Sequence, residues 1–220
     1  MTRRQMTLAL AAGAMAALLS GCGNYAPASY RTKLTVEVQT PNGMRTGSGV
    51  LEVTASKNLR LTSEEHAGSG GLRGEAIAVE LPEGPIFALL IPATSDRANG
   101  LGAPITLTLS GVVPKNVDEY VAAVRKLGKG SHRAELQRRE WPMLVRFRDI
   151  NDPKSVEQVD PETVGVRRIR LETTRDAVTT GIEKQLGWLT ILKGNYLHGG
   201  FTGRDAPLGL DGTAFSTEIR

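Results

Sequence analysis

Few side chains in this 220-residue sequence stand where their type and spacing could support chemistry. The one cysteine, Cys22, follows Leu19-Ser20-Gly21 and supplies the only thiol able to become a thioether. There are three histidines. His66 follows Glu64 and Glu65; in an extended segment Glu64 and His66 share a face, which offers two ligands where zinc takes three or four. A solvated loop explains them better. His132 lies among Lys129, Arg133, Arg138 and Arg139, a poor setting for a cation. His198, in Tyr196-Leu197-His198-Gly199-Gly200, could approach a substrate from a loop. Asp152, Asp160 and Glu162 could be read as catalytic acids, but each aspartate precedes a proline, so turn-making accounts for both. Phosphate motifs fail residue by residue. Ala123 stands where a P-loop before Gly128-Lys129 needs its first glycine, and Gly130 occupies the Ser/Thr position. After Gly68-Ser69-Gly70, Arg73 replaces the third glycine of a dinucleotide loop. No serine sits in a Gly-x-Ser-x-Gly elbow. No catalytic, cofactor or metal residue is assigned from the sequence.

The setting of Cys22 is more specific. Arg3 and Arg4 precede an apolar run, Leu8 to Leu19, too short for a spanning helix of about 20 residues. Ser20 and Gly21 are small enough for a peptidase to reach the backbone. Basic start, apolar middle and Leu19-Ser20-Gly21-Cys22 together resemble the signal peptide and lipobox of bacterial lipoproteins. The resemblance implies export, cleavage before Cys22, and lipid attachment at Cys22. A single acyl chain holds only marginally, and the lipoproteins of this pattern carry more than one. Gly23 rather than an aspartate follows the cysteine, which by the same resemblance favours the outer membrane, facing the periplasm. Thr2-Arg3-Arg4-Gln5-Met6 also resembles a twin-arginine start, so the export route stays open between the two.

Removing residues 1–21 from the 220 leaves 199 residues and lowers the net charge from +4 to +2, since the leader holds two of the 27 basic residues and no acidic one. With Cys22 acylated no thiol remains, so disulfides and cysteine chemistry are excluded for the mature monomer. The clustered Lys and Arg of a nucleic-acid footprint are missing from the sequence.

These residues must be positioned by the rest of the chain. Residues 22–30 read as a small, polar tether. Leu34, Val36 and Val38 alternate with polar residues, Pro41-Asn42-Gly43 turns, and Leu51 and Val53 alternate again, which predicts a first hairpin. Residues 68–74 read as a flexible glycine loop. Ile77, Val79 and Leu81 alternate; Ile86 to Ile91 is a continuous apolar run suited to a strand covered on both faces. Ile105, Leu107 and Leu109 predict another strand. Val117, Val121 and Val124 form a helical stripe with Asp118 and Glu119 early, Arg125 and Lys126 late, and Gly128 as a stop. Met143 to Phe147 and Arg167 to Leu171 return to strand, and Thr180-Gly181-Ile182-Glu183 reads as a capping box opening a second short helix. The expected fold is α+β, mainly antiparallel β and sandwich-like, with two short helices: one domain over residues 31–192 and a glycine-rich segment over 193–220 with no assigned structure.

Three stretches, Lys33 to Val38 running into Gly47 to Val53, Asp152 to Pro161, and Val178 to Lys184, are similar to a set of uncharacterised proteobacterial proteins. That resemblance implies a discrete domain and carries no activity. The functional expectation is a lipid-anchored cell-envelope protein that binds or braces an envelope protein or ligand, without a cofactor. Its alternative is a periplasmic hydrolase whose site is assembled from distant residues. The basic stretch Arg125 to Arg139 reads as a solvated surface, with contact to anionic headgroups near the anchor as a second reading.

Overall fold

The structure, a computed structural model, describes residues 26–58, 68–94, 100–192, 194–199 and 206–219. The expected leader, Cys22 and His66 lie outside the described residues. Period-two patterning organises the first sheet. In β1 (Ala28–Thr40), Tyr30, Thr32, Leu34, Val36 and Val38 are buried on one face. The last three residues of the expected tether are therefore already strand. A two-residue turn, Pro41-Asn42, leads through Gly43 at φ +108° into β2 (Gly43–Lys57), and the Thr40 hydroxyl donates to the Gly43 carbonyl at 2.8 Å. β9 (Val166–Thr174) pairs antiparallel with β1 on its other side. β3 (Gly68–Arg73) and β6 (Arg133–Glu135) complete a sheet ordered β3-β2-β1-β9-β6.

A second antiparallel sheet contains β4 (Ile77–Val79), β5 (Ile86–Pro92), β7 (Pro142–Phe147) and β8 (Val156–Gln158) in that spatial order. The continuous apolar run of β5 has the cause expected for it. Ile86, Ala88 and Leu90 face the core shared with the first sheet, and Phe87 and Leu89 face a second core on the opposite side. The α+β, mainly antiparallel, sandwich-like fold is thus present. The sheets meet most closely where β2 carries Gly47 and Gly49. A Cβ at Gly47 would lie 2.1 Å from the Ala78 carbonyl oxygen of β4, and one at Gly49 would lie 3.0 Å from Ile77.

Two helices close one side of the larger core. α1 (Gly102–Ser110) replaces the strand expected at Ile105, Leu107 and Leu109. Alternation was the wrong period: Leu101, Ile105 and Leu109 recur every four residues and are buried, whereas Leu107 is partly exposed. Thr106, also buried, donates to the Gly102 carbonyl at 2.8 Å and bonds the Tyr30 hydroxyl at 2.9 Å, which fastens α1 to β1. Burial pushes the Tyr30 hydroxyl well above its ordinary pKa, against the smaller opposing effect of Thr106. α2 (Val117–Leu127) follows its stripe. The Asn116 side chain accepts from the Glu119 amide at 2.9 Å, acidic residues open the helix and basic residues close it. Gly128 is its C-cap without a left-handed φ; a Cβ there would lie 2.6 Å from the Ser29 carbonyl oxygen, so the glycine serves packing on β1.

The expected capping box at 180–183 is corrected. Gly181, at φ +115°, precedes a single 3-10 turn, Ile182–Lys184, with no side-chain cap from Thr180. The Ile182 amide instead donates to the Glu75 carboxylate at 2.9 Å, a partner far away in sequence. α3 (Leu189–Leu192) follows. From Ile182 onward the described chain covers the free face of the second sheet, and Phe215, Leu210 and Leu197 are buried against it. The Ala76 amide donates to the Phe215 carbonyl at 2.7 Å, and the Thr217 amide to that of Gly74 at 3.0 Å.

Glu75 is therefore the polar fastener of this cover, buried to 3% exposure and also accepting from Ser216 Oγ. Burial raises its pKa above the ordinary value of 4.5, against the lowering effect of the Ile182 and Gly181 amides. Below that ordinary value both folded and unfolded chains hold the proton, so the group is neutral to stability. As pH rises through it, the unfolded chain ionises first and the folded state loses stability until Glu75 itself ionises. Glu75→Gln should therefore gain on the natural protein as pH is raised from about 4 to about 7, read as the difference between their urea midpoints. A difference that does not change with pH would refute this.

Candidate binding groove

The glycine run at residues 68–74 is not a loop but the edge strand β3, and its residue types follow from what lies against it. A Cβ at Gly68 would meet Val117 at 2.5 Å, and one at Gly71 would meet the Thr54 hydroxyl at 2.7 Å. At Gly70 a Cβ would stand 3.7 Å from the edge of the Tyr120 ring, an ordinary contact, so a side chain is accommodated there. The missing side chain at Gly68 thus lets α2 settle beside the strand.

Alternation decides which way the backbone of β3 points. In β2 the Val50 amide donates to Thr179 Oγ1 at 2.8 Å and its carbonyl accepts from the Thr179 amide at 3.1 Å, so Val50 points away from β1. Glu52, Thr54 and Ser56 share that direction, toward their partners Arg73, Gly71 and Ser69. Gly68, Gly70 and Leu72 then direct N–H and C=O outward from the sheet. Among the described residues nothing bonds them. One step further on, Gly74 shows what such groups take: Thr217 pairs with it through both its amide and its hydroxyl. An edge strand with free backbone groups is a template for one more strand.

Beside this edge runs a groove made of three adjoining hollows. One of about 350 Å³ lies among Pro92, Leu107, Val113 and Pro114. A second of about 420 Å³ lies among Gly70, Leu72, Gly100 and Gly102, and a third of about 460 Å³ among Gly68, Pro114, Asn116 and Val117. Ala103 and Tyr120 line all three. Val112 and Val113, 46% and 75% exposed, extend the apolar surface at one rim. Arg139 and Glu140 supply charge to the first hollow.

The outer face of the five-stranded sheet is different in kind. Glu37, 4% exposed, receives Arg168 Nε at 2.7 Å and also pairs with Arg170. A bulge at Arg167 sets this up: Glu37 pairs with Arg168 but Val38 with Val166, so Arg167 falls out of the expected alternation and is exposed. Arg133 binds Glu172 at 2.8 Å on the same face. Opposed charges there satisfy one another.

The residues singled out by their chemistry do not converge. Asp152 Oδ1 accepts from the Lys154 amide at 2.9 Å and Asp160 Oδ1 from the Glu162 amide at 2.7 Å, so both serve their own turns. Glu162 pairs with Arg138 at 2.7 Å. The His132 amide donates to Thr173 Oγ1, and its ring lies against Gly130. His198 meets the Tyr196 ring edge-on at 6.2 Å, and its Nδ1 is buried without a hydrogen-bond partner among the described residues. Among the described residues no three His, Cys, Asp or Glu side chains gather as a metal ion would need. The groove was missed by sequence reasoning because it joins three elements. The legible signs were the glycine run itself and the Val112-Val113 pair, which fits no buried stripe. No family model matches this chain, and no curated protein or solved structure matches it.

Proposed function

We propose that this is a lipid-anchored cell-envelope protein, held by acyl chains on Cys22 at the periplasmic face of the outer membrane, which binds an extended segment of another envelope polypeptide. The observation that carries the binding role is the outward-facing backbone of Gly68, Gly70 and Leu72 beside the Tyr120 groove. An incoming strand would satisfy those groups, and its alternate side chains would enter the apolar hollows; main-chain bonds give affinity and pockets give selection. The lipobox-like leader supports the location. Cys22 is six residues before β1, so the chain reaches at most about 20 Å from lipid to domain.

Two measurements test the halves separately. Mass spectrometry of the mature N-terminal peptide should find acyl mass on Cys22; a bare thiol would end the anchored reading. A photo-crosslinker in place of Ala103 in the full chain, in living cells, should yield an adduct with one polypeptide. Gly70→Pro removes the outward N–H without touching a bond to β2, and proline is tolerated on an edge where its nitrogen faces solvent. That variant should stay folded and lose the adduct by about tenfold or more, the value of one lost main-chain bond plus the ring's obstruction. An adduct equally strong in Gly70→Pro would rule out strand addition.

A further inference from the structure

We propose that the hollow where β1 leaves the tether is a phosphate site that seats the headgroup of an anionic lipid; the choice of lipid as the source of the phosphate rests on the anchored reading. The hollow holds about 320 Å³ and is lined by Ser29 to Arg31, Leu127 to Ser131 and Thr173 to Arg175. Arg31, Lys129 and Arg175 bring three cations to it, and Ser131 brings a hydroxyl. Lys129 and Arg175 form no ion pair among the described residues. The amides of Gly130 and Ser131 likewise donate to no described acceptor. Carboxylates are close but do not neutralise the set. Glu52 meets Arg31 at 3.3 Å and is shared with Arg73, and Asp176 offers Arg31 its backbone carbonyl rather than its side chain. The C-terminal carbonyls of α2 also end here and disfavour an anion, but by about half an elementary charge. Arg125, Lys126 and Lys129, each a full positive charge at that helix end, outweigh it.

Position supplies the occupant. Arg125 donates to the Ala26 carbonyl at 3.3 Å, so the incoming chain is held against the basic end of α2. Cys22 lies four residues before Ala26, a span of at most about 14 Å. An acylated Cys22 would thus bring the bilayer surface to the hollow. Three basic residues at an anionic surface predict roughly a hundredfold preference for anionic over neutral lipid. The preference acts on orientation, since the acyl chains already hold the protein. It would set the Tyr120 groove, beside the first turns of α2, at a fixed bearing to the membrane.

The test uses the full-length lipidated protein purified from membranes and reconstituted with phosphatidylcholine vesicles, with or without phosphatidylglycerol. Flotation with neutral vesicles reports the anchor alone. Amide exchange over residues 128–131, read by mass spectrometry, reports the hollow. Exchange should slow several-fold when phosphatidylglycerol is present. A Lys129→Glu/Arg175→Glu double variant should float as before and lose the slowing. Equal exchange in both vesicles, with flotation intact, overturns the proposal. So does slowing by inorganic phosphate on neutral vesicles to the same extent, which would make the site one for free phosphate. If the protein floats only with phosphatidylglycerol and is protected there, the hollow stands and the anchor falls; if it floats with neither, both fall.

Discussion

Phe215→Ala should lower the stability of the protein by about 3–5 kcal/mol, a shift in melting temperature of roughly 6–20 °C for a chain of this size. The side chain is fully buried near the end of the described chain. It meets Trp188 edge-on at 5.4 Å and Phe147 at 5.9 Å, and Phe147 in turn meets Phe87 at 5.8 Å. Removing it empties one side of an aromatic cluster centred on Phe147, whose other members are fixed elsewhere. Trp188 is held by its Nε1 bond to the Ile150 carbonyl at 3.0 Å, Phe87 and Phe147 by β5 and β7. Such a site collapses poorly, which places the cost high within the range for large-to-small changes. Domains are stable by only about 5–15 kcal/mol, so a loss of this size threatens the whole fold. Urea denaturation measures it, and Ile191→Ala provides the contrast. Ile191 belongs to the same cover but is 79% exposed, and its truncation should change stability by less than about 0.5 kcal/mol. Equal effects from the two variants would mean that Phe215 does not hold the cover in place.

The aromatic cluster also shows where sequence reading succeeds and where it stops. β5 was legible because Ile86 to Ile91 is apolar at every position, which only burial on both faces explains. The identity of its second cover was not. Trp188 and Phe215 lie in short turns with no period to detect, and their partners are set by tertiary packing. α2 was legible because stripe, end charges and stop all agree. In α1, apolar residues at 105, 107 and 109 satisfy a strand as well as Leu101, Ile105 and Leu109 satisfy a helix; the buried bond between Thr106 and Tyr30 belongs to the helix alone. The glycines of β3 argued for a loop by propensity, yet pairing with β2 and the approach of α2 override that weak preference. The groove inherits this difficulty. Gly70, Ala103 and Tyr120 carry no shared motif, and only the fold brings them to one place.

Gly47→Ala should cost about 3 kcal/mol or more, because among the described glycines a Cβ would meet its shortest contact here. The position has no left-handed φ, so alanine suits its backbone and conformational strain is not the cause. The obstacle is the neighbour. A Cβ would stand 2.1 Å from the Ala78 carbonyl oxygen and 2.8 Å from Val79 Cγ2, well inside contact distance. Ala78 cannot yield by turning a side chain, because the obstructing atom is backbone held in β4, which pairs with β5. Relief requires the two sheets to part by about an ångström or more where they are closest, and that gap would reach Leu34, Val36 and Ile77 in the core between them. Gly187→Ala is the matched control. Its Cβ would find only the Glu183 carbonyl oxygen at 3.9 Å, an ordinary contact, so the change should be near neutral. Thermal unfolding of the two variants side by side decides the matter. A Gly47→Ala protein as stable as Gly187→Ala would mean that the sheets do not meet at β4, and the sandwich packing would be wrong with it.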